Sequence, residues 1–294
     1  MEGTFMVMKK KLMGGILAIT MAMGVLAGCG ASSTTNDSGT KAKIRTLDEI
    51  KEDGTIKIGV FSDKNPFGYI DSNGEIQGYD VYFAKRIGKD LLGSEDAVEF
   101  VYVEAASRVE YLQSGKVDVI LANFTVTDER KEQVDFALPY MKVALGIISP
   151  DNASITDVSQ LKDKKVIVVK GTTAETYFSE KHPELTLVKY DEYQEASDAL
   201  LDGRGDAFAT DNTEALAWSQ KNEGFSTSIE SIGDIDTIAP AVHKGNTELL
   251  DWLNEEIKGL AKEQFFHKDF EETLLPVYGE TIDPESLVVE GGAV

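Results

Sequence analysis

The chain has 294 residues, a length that fits two domains of ordinary size. Hydrophobic residues make up 42% and charged residues 27%, which excludes a disordered or fibrous protein. The formal net charge of −22 excludes nucleic-acid binding through a basic face. The single cysteine excludes intramolecular disulfides. The three histidines are scattered and have no metal-ligand spacing, so we expect no metal and no cofactor.

The amino-terminal segment has the composition of a targeting signal. Lysines at positions 9–11 precede sixteen uncharged residues at 12–27, a run that suits a signal-peptide core and is shorter than the ~20 residues of a spanning helix. The run LAGC then ends at the single cysteine, Cys29, and resembles the lipobox of bacterial lipoproteins. We expect a signal peptide at 1–28, lipidation of Cys29 and a flexible tether at 29–43. The alternative is a failed transmembrane helix followed by a chance cysteine.

After residue 44, short β-branched runs alternate with amphipathic helical patterns, and a turn is predicted at 71–74. The first half predicts strands at 55–60, 98–103 and 117–122 with helices at 79–92 and 108–113. The second half predicts strands at 165–169, 185–190 and 207–210 with helices at 173–181 and 193–201. This alternation is typical of an α/β fold with mostly parallel sheets.

Two segments of the chain resemble each other. Residues 112–123 and 200–211 align without a gap, and each predicts a helix end, a glycine C-cap and a buried strand. Helix–glycine–strand turns are common, but the shared spacing and flanking order favour two lobes of one architecture. The repeat then places Asn123 and Asp211 just past the carboxyl ends of two strands, the edge where open α/β sheets bind ligands. The matched positions are Leu112, Gly115, Lys116 and Asp118 with Leu200, Gly203, Arg204 and Asp206.

Charged and hydroxyl side chains around these strand ends predict a ligand site. Arg130 offers a planar fork that fits a carboxylate, although it could be a solvated charge in a helix capped by Thr127. Asp211 suits an ammonium group, or an N-cap for the following helix. Residues 170–175 predict either a small anion seat made of backbone N–H groups or a plain helix cap. Arg130 on one lobe and Asp211 on the other together specify a clamp for a zwitterionic α-amino acid.

At these motifs the chain resembles the family 3 solute-binding proteins of ABC importers for polar amino acids, which have the two-lobed type II periplasmic-binding fold. The resemblance covers essentially all of residues 44–294. Its motifs are NPFGY (65–69), GYDV (78–81), LQSGKVD (112–118), TVTDER (125–130), VDFALPY (134–140), LKDKK (161–165), KGTTAE (170–175) and GRGDA (203–207). Similarity to cysteine-binding members rests on EAASRVE (104–110), ANFT (122–125), DNT (211–213), IAPAV (238–242) and EQFFHK (263–268).

The resemblance implies that 44–140 and 241–294 form lobe one and 145–236 form lobe two, with hinge strands near 141–144 and 237–240. It implies ligand-binding roles for Arg130 with Thr125, for Thr172 and Thr173, for Asp211, and for Arg108. Many relatives cover the ligand with aromatic residues where this chain has Lys64, Asn65 and Ala105, which argues for a small side chain. The expected ligand-binding residues are Phe61, Phe67, Arg108, Asn123, Thr125, Arg130, Thr172, Thr173 and Asp211.

These observations predict a monomeric extracytoplasmic lipoprotein, anchored to the cell membrane, that captures cysteine or cystine and delivers it to an ABC permease. Alternative ligands are glutamate, aspartate and glutamine. A dehydratase-like enzyme on the same scaffold is a further alternative, but it needs a general acid, and no histidine falls in the predicted cleft loops. A receptor sensor domain or a cell-wall lyase would need a further membrane segment or domain. We therefore expect no catalytic residues and no enzymatic activity.

Overall fold

The computed structural model describes residues 43–293. The predicted signal peptide, Cys29 and almost all of the predicted tether lie outside the described residues. Within the described part, none of the helices combines the length and the apolar composition needed to cross a bilayer.

Helices and strands alternate through the described chain. The strands are β1 (Ile56–Val60), β2 (Asp63–Lys64), β3 (Gly68–Ile70), β4 (Ile76–Gln77), β5 (Val98–Tyr102), β6 (Val119–Ile120), β7 (Val134–Phe136), β8 (Met141–Pro150), β9 (Lys165–Val169), β10 (Thr186–Tyr190), β11 (Ala207–Asp211), β12 (Phe225–Ile238) and β13 (Ala241–His243). The α-helices are α1 (Leu47–Asp53), α2 (Tyr79–Leu92), α3 (Arg108–Gln113), α4 (Asp128–Gln133), α5 (Thr173–Lys181), α6 (Tyr193–Leu201), α7 (Asn212–Lys221), α8 (Thr247–Leu260), α9 (Phe265–Asp269), α10 (Leu275–Tyr278) and α11 (Pro284–Leu287).

Two five-stranded sheets share one arrangement. The first has the order β5-β1-β6-β13-β7, with three parallel neighbours followed by two antiparallel strands. The second has the order β10-β9-β11-β8-β12 and the same sequence of parallel and antiparallel pairs. A small antiparallel sheet, β2-β3-β4, accompanies the first. The predicted α/β fold with two lobes of similar architecture is confirmed.

The internal repeat extends to individual hydrogen bonds. Asp118 donates its N–H to the carbonyl of Lys57 at 2.9 Å, and its carboxylate accepts the N–H of Lys57 at 2.8 Å. Asp206 forms the same pair of bonds with Lys165, both at 2.8 Å. Each aspartate therefore ties the start of one parallel strand to the start of its neighbour, which fixes the register of both sheets.

Helix α2 shows how the first lobe forms its core. Its predicted apolar face is buried, with Val81, Ala84 and Ile87 packed in the same cluster as Ile56 and Ile58 of β1. The helix ends at Gly93, whose φ of 85° allows the left-handed cap. This packing fixes the position of Asp80, near the helix start, at the edge of the sheet.

The chain passes from the first sheet into the second at the start of β8 and returns at the end of β12. The two crossings lie side by side, because Met141 pairs with Ile238 and Lys142 with Thr237 in antiparallel register. The hinge at these strands and the exact lobe boundaries stay predictions.

Candidate ligand-binding cleft

The carboxyl ends of β6 and β11 meet at a cleft between the two sheets. Asn123 and Asp211, which the repeat placed at equivalent strand ends, are in contact there, because Nδ2 of Asn123 donates to Oδ2 of Asp211 at 3.0 Å. The repeat and the sheet rule alone predicted this juxtaposition. Residues from both lobes line the cavity at this point: Lys64, Arg108, Asn123, Thr125, Arg130, Thr172, Thr173, Thr210, Asp211 and Glu214.

Asn123 holds its position through a buried anchor. Its φ of 44° lies in the left-handed region, which Asn tolerates better than most residues. Its N–H donates to Oδ2 of Asp80 at 2.8 Å, and the hydroxyl of Tyr140 donates to the other oxygen at 2.5 Å. Burial raises the pKa of Asp80 to about 6, although both hydrogen bonds oppose the shift. The amide of Asn123 is thereby aimed across the cleft.

Two arginines of the first lobe reach the same carbonyl of the second. Nη2 of Arg108 donates to the carbonyl oxygen of Gly171 at 3.1 Å, and Nη2 of Arg130 donates to it at 2.9 Å. Both guanidinium groups lie over the ring of Phe124, at 4.4 and 4.6 Å from its centroid. Among the described residues, neither guanidinium forms an ion pair with a carboxylate. Two positive charges therefore face the cleft without a salt-bridge partner in the part of the chain that the structure describes.

The two arginines differ in what remains free for a ligand. Arg108 is 3% exposed, and its guanidinium also donates to the carbonyls of Ala105, Ala122 and Asn123. The Arg130 guanidinium makes one further bond, to the carbonyl of Thr125 at 2.7 Å. Because a guanidinium has five N–H donors, Arg130 retains several for a ligand. Burial lowers the pKa of Arg130 to about 10 and that of Arg108 well below its usual range.

The Arg130 side chain is turned into the cleft, which excludes the alternative of a solvated charge. Thr127 does cap α4, since its Oγ1 accepts the N–H of Arg130 at 3.2 Å. Asp211 occupies the N-cap position of α7 but makes no side-chain cap hydrogen bond, so its carboxylate is directed to the cleft. Burial, followed by the charge of Glu214, raises the pKa of Asp211 to about 7.

The loop after β9 combines a helix cap with a cleft contact. Oγ1 of Thr172 accepts the N–H of Glu175 at 3.2 Å, which makes Thr172 the N-cap of α5. The N–H of Gly171 is bound by the Glu175 carboxylate at 2.7 Å, so this donor of the predicted anion seat is occupied within the loop. Oγ1 of Thr173 lies 3.5 Å from Oδ1 of Asp211. Thr173 thus lies beside the carboxylate assigned to the ligand ammonium.

The cleft contains a buried ion pair, Lys64–Glu214, that the sequence did not predict. Nζ of Lys64 lies 3.0 Å from Oε1 of Glu214, and both side chains are almost wholly buried. Glu214 also accepts Nδ2 of Asn123 at 2.6 Å and the hydroxyl of Thr210. The spacing could have indicated Glu214, because it comes three residues after Asp211 and so lies on the same face at the start of α7.

The two predicted aromatic residues differ in position. Phe61 is buried beside the cleft, with its ring centroid 4.1 Å from Nζ of Lys64 and 5.5 Å from Cζ of Arg108. Phe67 has no exposed surface and packs in the core of the first lobe. The structure therefore brings Phe61 to the charged groups of the cleft but does not bring Phe67 to its lining.

Two α/β lobes whose cleft holds two arginines and Asp211, none of them in an ion pair among the described residues, define a two-lobed ligand-binding protein. The chain belongs to the bacterial extracellular solute-binding proteins, family 3, whose family model matches residues 56–271. The family resemblance seen in the sequence motifs is therefore confirmed.

Individual relatives bind different amino acids. The crystal structure of the solute receptor for L-cysteine of Neisseria gonorrhoeae is 56% identical, with a TM-score of 0.83 over 84% of this chain and 100% of that chain. The cysteine-binding protein from Campylobacter jejuni is 51% identical, with a TM-score of 0.82 over 83% of this chain and 98% of that one. An ABC transporter glutamine-binding protein of Bacillus subtilis (strain 168) is 34% identical over 85% of this chain and 92% of its own length.

Proposed function

We propose that the protein is an extracytoplasmic receptor that binds L-cysteine or cystine between its lobes and delivers it to an ABC permease. The observation that carries the proposal is the pair of arginines facing Asp211 across the cleft, since neither guanidinium has a carboxylate partner among the described residues. A zwitterionic α-amino acid complements both signs of charge in one small molecule.

The ligand carboxylate binds Arg130 in this proposal. Its guanidinium is held by the carbonyls of Thr125 and Gly171 and keeps further N–H donors. A carboxylate accepts two parallel bonds from such a fork, which gives geometric specificity as well as affinity. Arg108 supplies a second positive charge nearby, although most of its donors bind backbone carbonyls.

The ligand ammonium binds Asp211. Burial raises the pKa of this carboxylate, which means that its ionised form lacks stabilisation. An ammonium group placed against Asp211 supplies that stabilisation, and Oγ1 of Thr173 lies close enough to share the contact. The two ends of the amino acid then bridge the lobes and favour closure.

The charge balance of the cleft disfavours a cationic ligand side chain. Arg108, Arg130 and Lys64 outnumber Asp211 and Glu214 by one positive charge. A lysine or arginine side chain would add another, and like charges in a closed cleft cost several kcal/mol. A small neutral side chain such as that of cysteine avoids this cost. The similarity to the cysteine receptors of two bacteria, at 51 and 56% identity, supports cysteine over glutamine.

The proposal that the protein is anchored to the membrane is based on its sequence. The lipobox-like run that ends at Cys29 and the polar stretch after it support lipidation, and the family's extracellular location supports export. We expect a Cys29→Ala variant to take up no labelled fatty acid and to keep its signal peptide. Fatty-acid labelling at the wild-type level in that variant would contradict the anchor.

The proposed role is binding and not catalysis. The cavity lining contains arginine, lysine, carboxylate, amide and hydroxyl groups, whereas His182, His243 and His267 lie elsewhere in the described chain. The two carboxylates of the lining have other roles in this proposal, since Glu214 pairs with Lys64 and Asp211 binds the ligand ammonium. A dehydratase would need one of them free beside a leaving group.

Isothermal titration calorimetry on a chain that begins at residue 30 tests the ligand. We expect cysteine in reductant, or cystine without it, to bind with a Kd of about 1 μM or lower, and arginine and lysine to give no heat. Serine, which replaces the sulfur with oxygen, is the matched control for thiol recognition. If glutamine, glutamate or aspartate bound more tightly than cysteine, the proposed ligand would be wrong, but the chain would still belong to the same family.

A further inference from the structure

Three consecutive residues of the first lobe each contact a helix of the second. Oδ2 of Asp63 accepts the N–H of Gln194, at the start of α6, at 3.1 Å. Nζ of Lys64 pairs with Glu214 of α7. Oδ1 of Asn65 accepts a bond from Nζ of Lys221, the last residue of α7. We call Asp63, Lys64 and Asn65 the interlobe clasp.

The central contact of the clasp differs from the outer two in burial. The side chains of Lys64 and Glu214 are 4 and 1% exposed. The ammonium group of Lys64 also lies between an aromatic ring of each lobe, 4.1 Å from the centroid of Phe61 and 5.3 Å from that of Tyr193. The outer contacts are exposed, so we expect them to guide the approach of the lobes and to contribute little energy.

Burial makes the Lys64–Glu214 pair sensitive to the loss of either partner. Two paired charges stabilise each other in the closed cleft, but a single charge left there keeps its desolvation cost without compensation. Glu214 is further held by Asn123, so the charged pair is in contact with a residue of the proposed ligand site. Separation of the lobes returns both charges to water. The pair therefore acts on the equilibrium between open and closed lobes.

We propose that the interlobe clasp positions the second lobe against the first, and that its Lys64–Glu214 pair sets the closure equilibrium independently of ligand contact. The proposal extends the proposed amino-acid receptor, because closure is the step by which that receptor retains its ligand. Lys64 and Glu214 are positioning residues in this scheme. Their effect on closure exists with or without an amino acid in the cleft.

The test uses a ligand-free chain that starts at residue 30 and carries Tyr102→Cys and Glu192→Cys. These exposed positions lie in the two lobes and line one cavity beside the clasp. A bis-maleimide cross-links the two cysteines when the lobes close, so its rate reports the closed population. The monofunctional N-ethylmaleimide measures the reactivity of each thiol alone.

Lys64→Met and Glu214→Gln are each expected to slow cross-linking by about tenfold or more, because each leaves one buried charge unpaired. The double variant Lys64→Met/Glu214→Gln has no charge at either position, so we expect its cross-linking rate to be within about threefold of the parent rate. Such a recovery would indicate that the two side chains interact directly. Lys89→Met removes an exposed lysine of α2, near Glu95, and is the matched control with an unchanged rate. Thermal melts monitored by circular dichroism check that each variant folds.

The proposal would be overturned if both single variants cross-linked at the parent rate. It would also be overturned if the two substitutions slowed cross-linking additively in the double variant. Unchanged cross-linking together with weakened amino-acid binding would make Lys64 and Glu214 ligand contacts and would also overturn it. Failure of the proposed function has a different readout. In that case no amino acid accelerates cross-linking of the parent chain, while the comparison among ligand-free variants still decides the clasp.

Discussion

A Cβ atom placed on Gly171 would lie 2.5 Å from Cα of Ala106, a backbone atom of the opposite lobe. It would also lie 2.7 Å from the backbone nitrogen of Ala106, so no side-chain rotation relieves the contact. The φ of Gly171 is 73°, and its carbonyl accepts both cleft arginines. A glycine at this position therefore permits the backbones of the two lobes to approach closely here.

Gly171→Ala is expected to weaken amino-acid binding by tenfold or more, because a Cβ contact below 3.0 Å with backbone keeps the lobes from closing fully. The matched control is Gly203→Ala, where φ is 68° and no atom lies within 4 Å of the added Cβ. Both variants carry the left-handed strain of about 1 kcal/mol, so their melting temperatures should fall by similar amounts. Calorimetry separates them, and equal affinities would contradict the interlobe contact.

Removal of either end of the proposed clamp should abolish most of the affinity. Arg130→Ala and Asp211→Asn each leave one charged group of a bound amino acid unpaired, at a cost of ~2–5 kcal/mol, or about one and a half to four decades in Kd. The exposed Arg204 of the second lobe provides the control, Arg204→Ala, for which no change in Kd is expected. Wild-type affinity in Arg130→Ala or Asp211→Asn would refute the role assigned to that residue.

Amino-acid binding should depend on pH through Asp211. Its pKa of about 7 means that the free protein takes up a proton there as the pH falls, and a protonated carboxyl cannot pair with ammonium. Affinity is therefore expected to be highest above pH 7 and to weaken below it by up to about tenfold per pH unit. Titration calorimetry between pH 8 and pH 5.5 measures the slope. Asp211→Asn should bind weakly at every pH with a flat profile, and a sloping profile would assign the proton to another group.

Asp80→Ala is expected to lower both stability and affinity. The variant leaves the Tyr140 hydroxyl and the Asn123 N–H buried without an acceptor, at about 1–3 kcal/mol each. It also releases Asn123 from the conformation that aims its amide at Asp211. Urea denaturation measures the first effect and calorimetry the second. Asp80→Asn keeps one acceptor oxygen, so its free energy of unfolding and its affinity should lie between those of Asp80→Ala and the wild type. A loss of unfolding free energy below about 1 kcal/mol in Asp80→Ala would contradict the anchoring role of Asp80.

Elements with a clear apolar period and a defined cap were predictable from the sequence. The predicted bounds of α2, α3, α5, α6 and β9 coincide with the structure. Helix α2 shows the reason, because it combines a buried apolar face with a glycine at its end. The strand predicted at 117–122 is reduced to Val119–Ile120, since the chain turns at Asn123 towards the cleft. Long-range pairing with Lys57 fixes its start through Asp118.

The charged interior of the cleft was only partly predictable. Asn123 and Asp211 follow from the repeat, because equivalent strand ends of two similar sheets face one another. The partnership of Lys64 with Glu214 joins residues 150 positions apart, and no pattern in either segment indicates that these two residues pair with each other. Phe67 was assigned to the ligand but packs in the core, because a single aromatic residue after a proline does not indicate which side of the loop it faces.

The place of β13 in the first sheet has a consequence for biosynthesis. This strand lies between β6 and β7, yet the ribosome makes it only after every strand of the second sheet. The second sheet is thus complete while β6 still has a bare edge and β7 has no neighbour. The second sheet can therefore pair completely from one continuous stretch of chain, whereas the first sheet needs a strand from beyond it. Until residues 241–243 pair there, the bare edge of β6 is open to pairing with another chain.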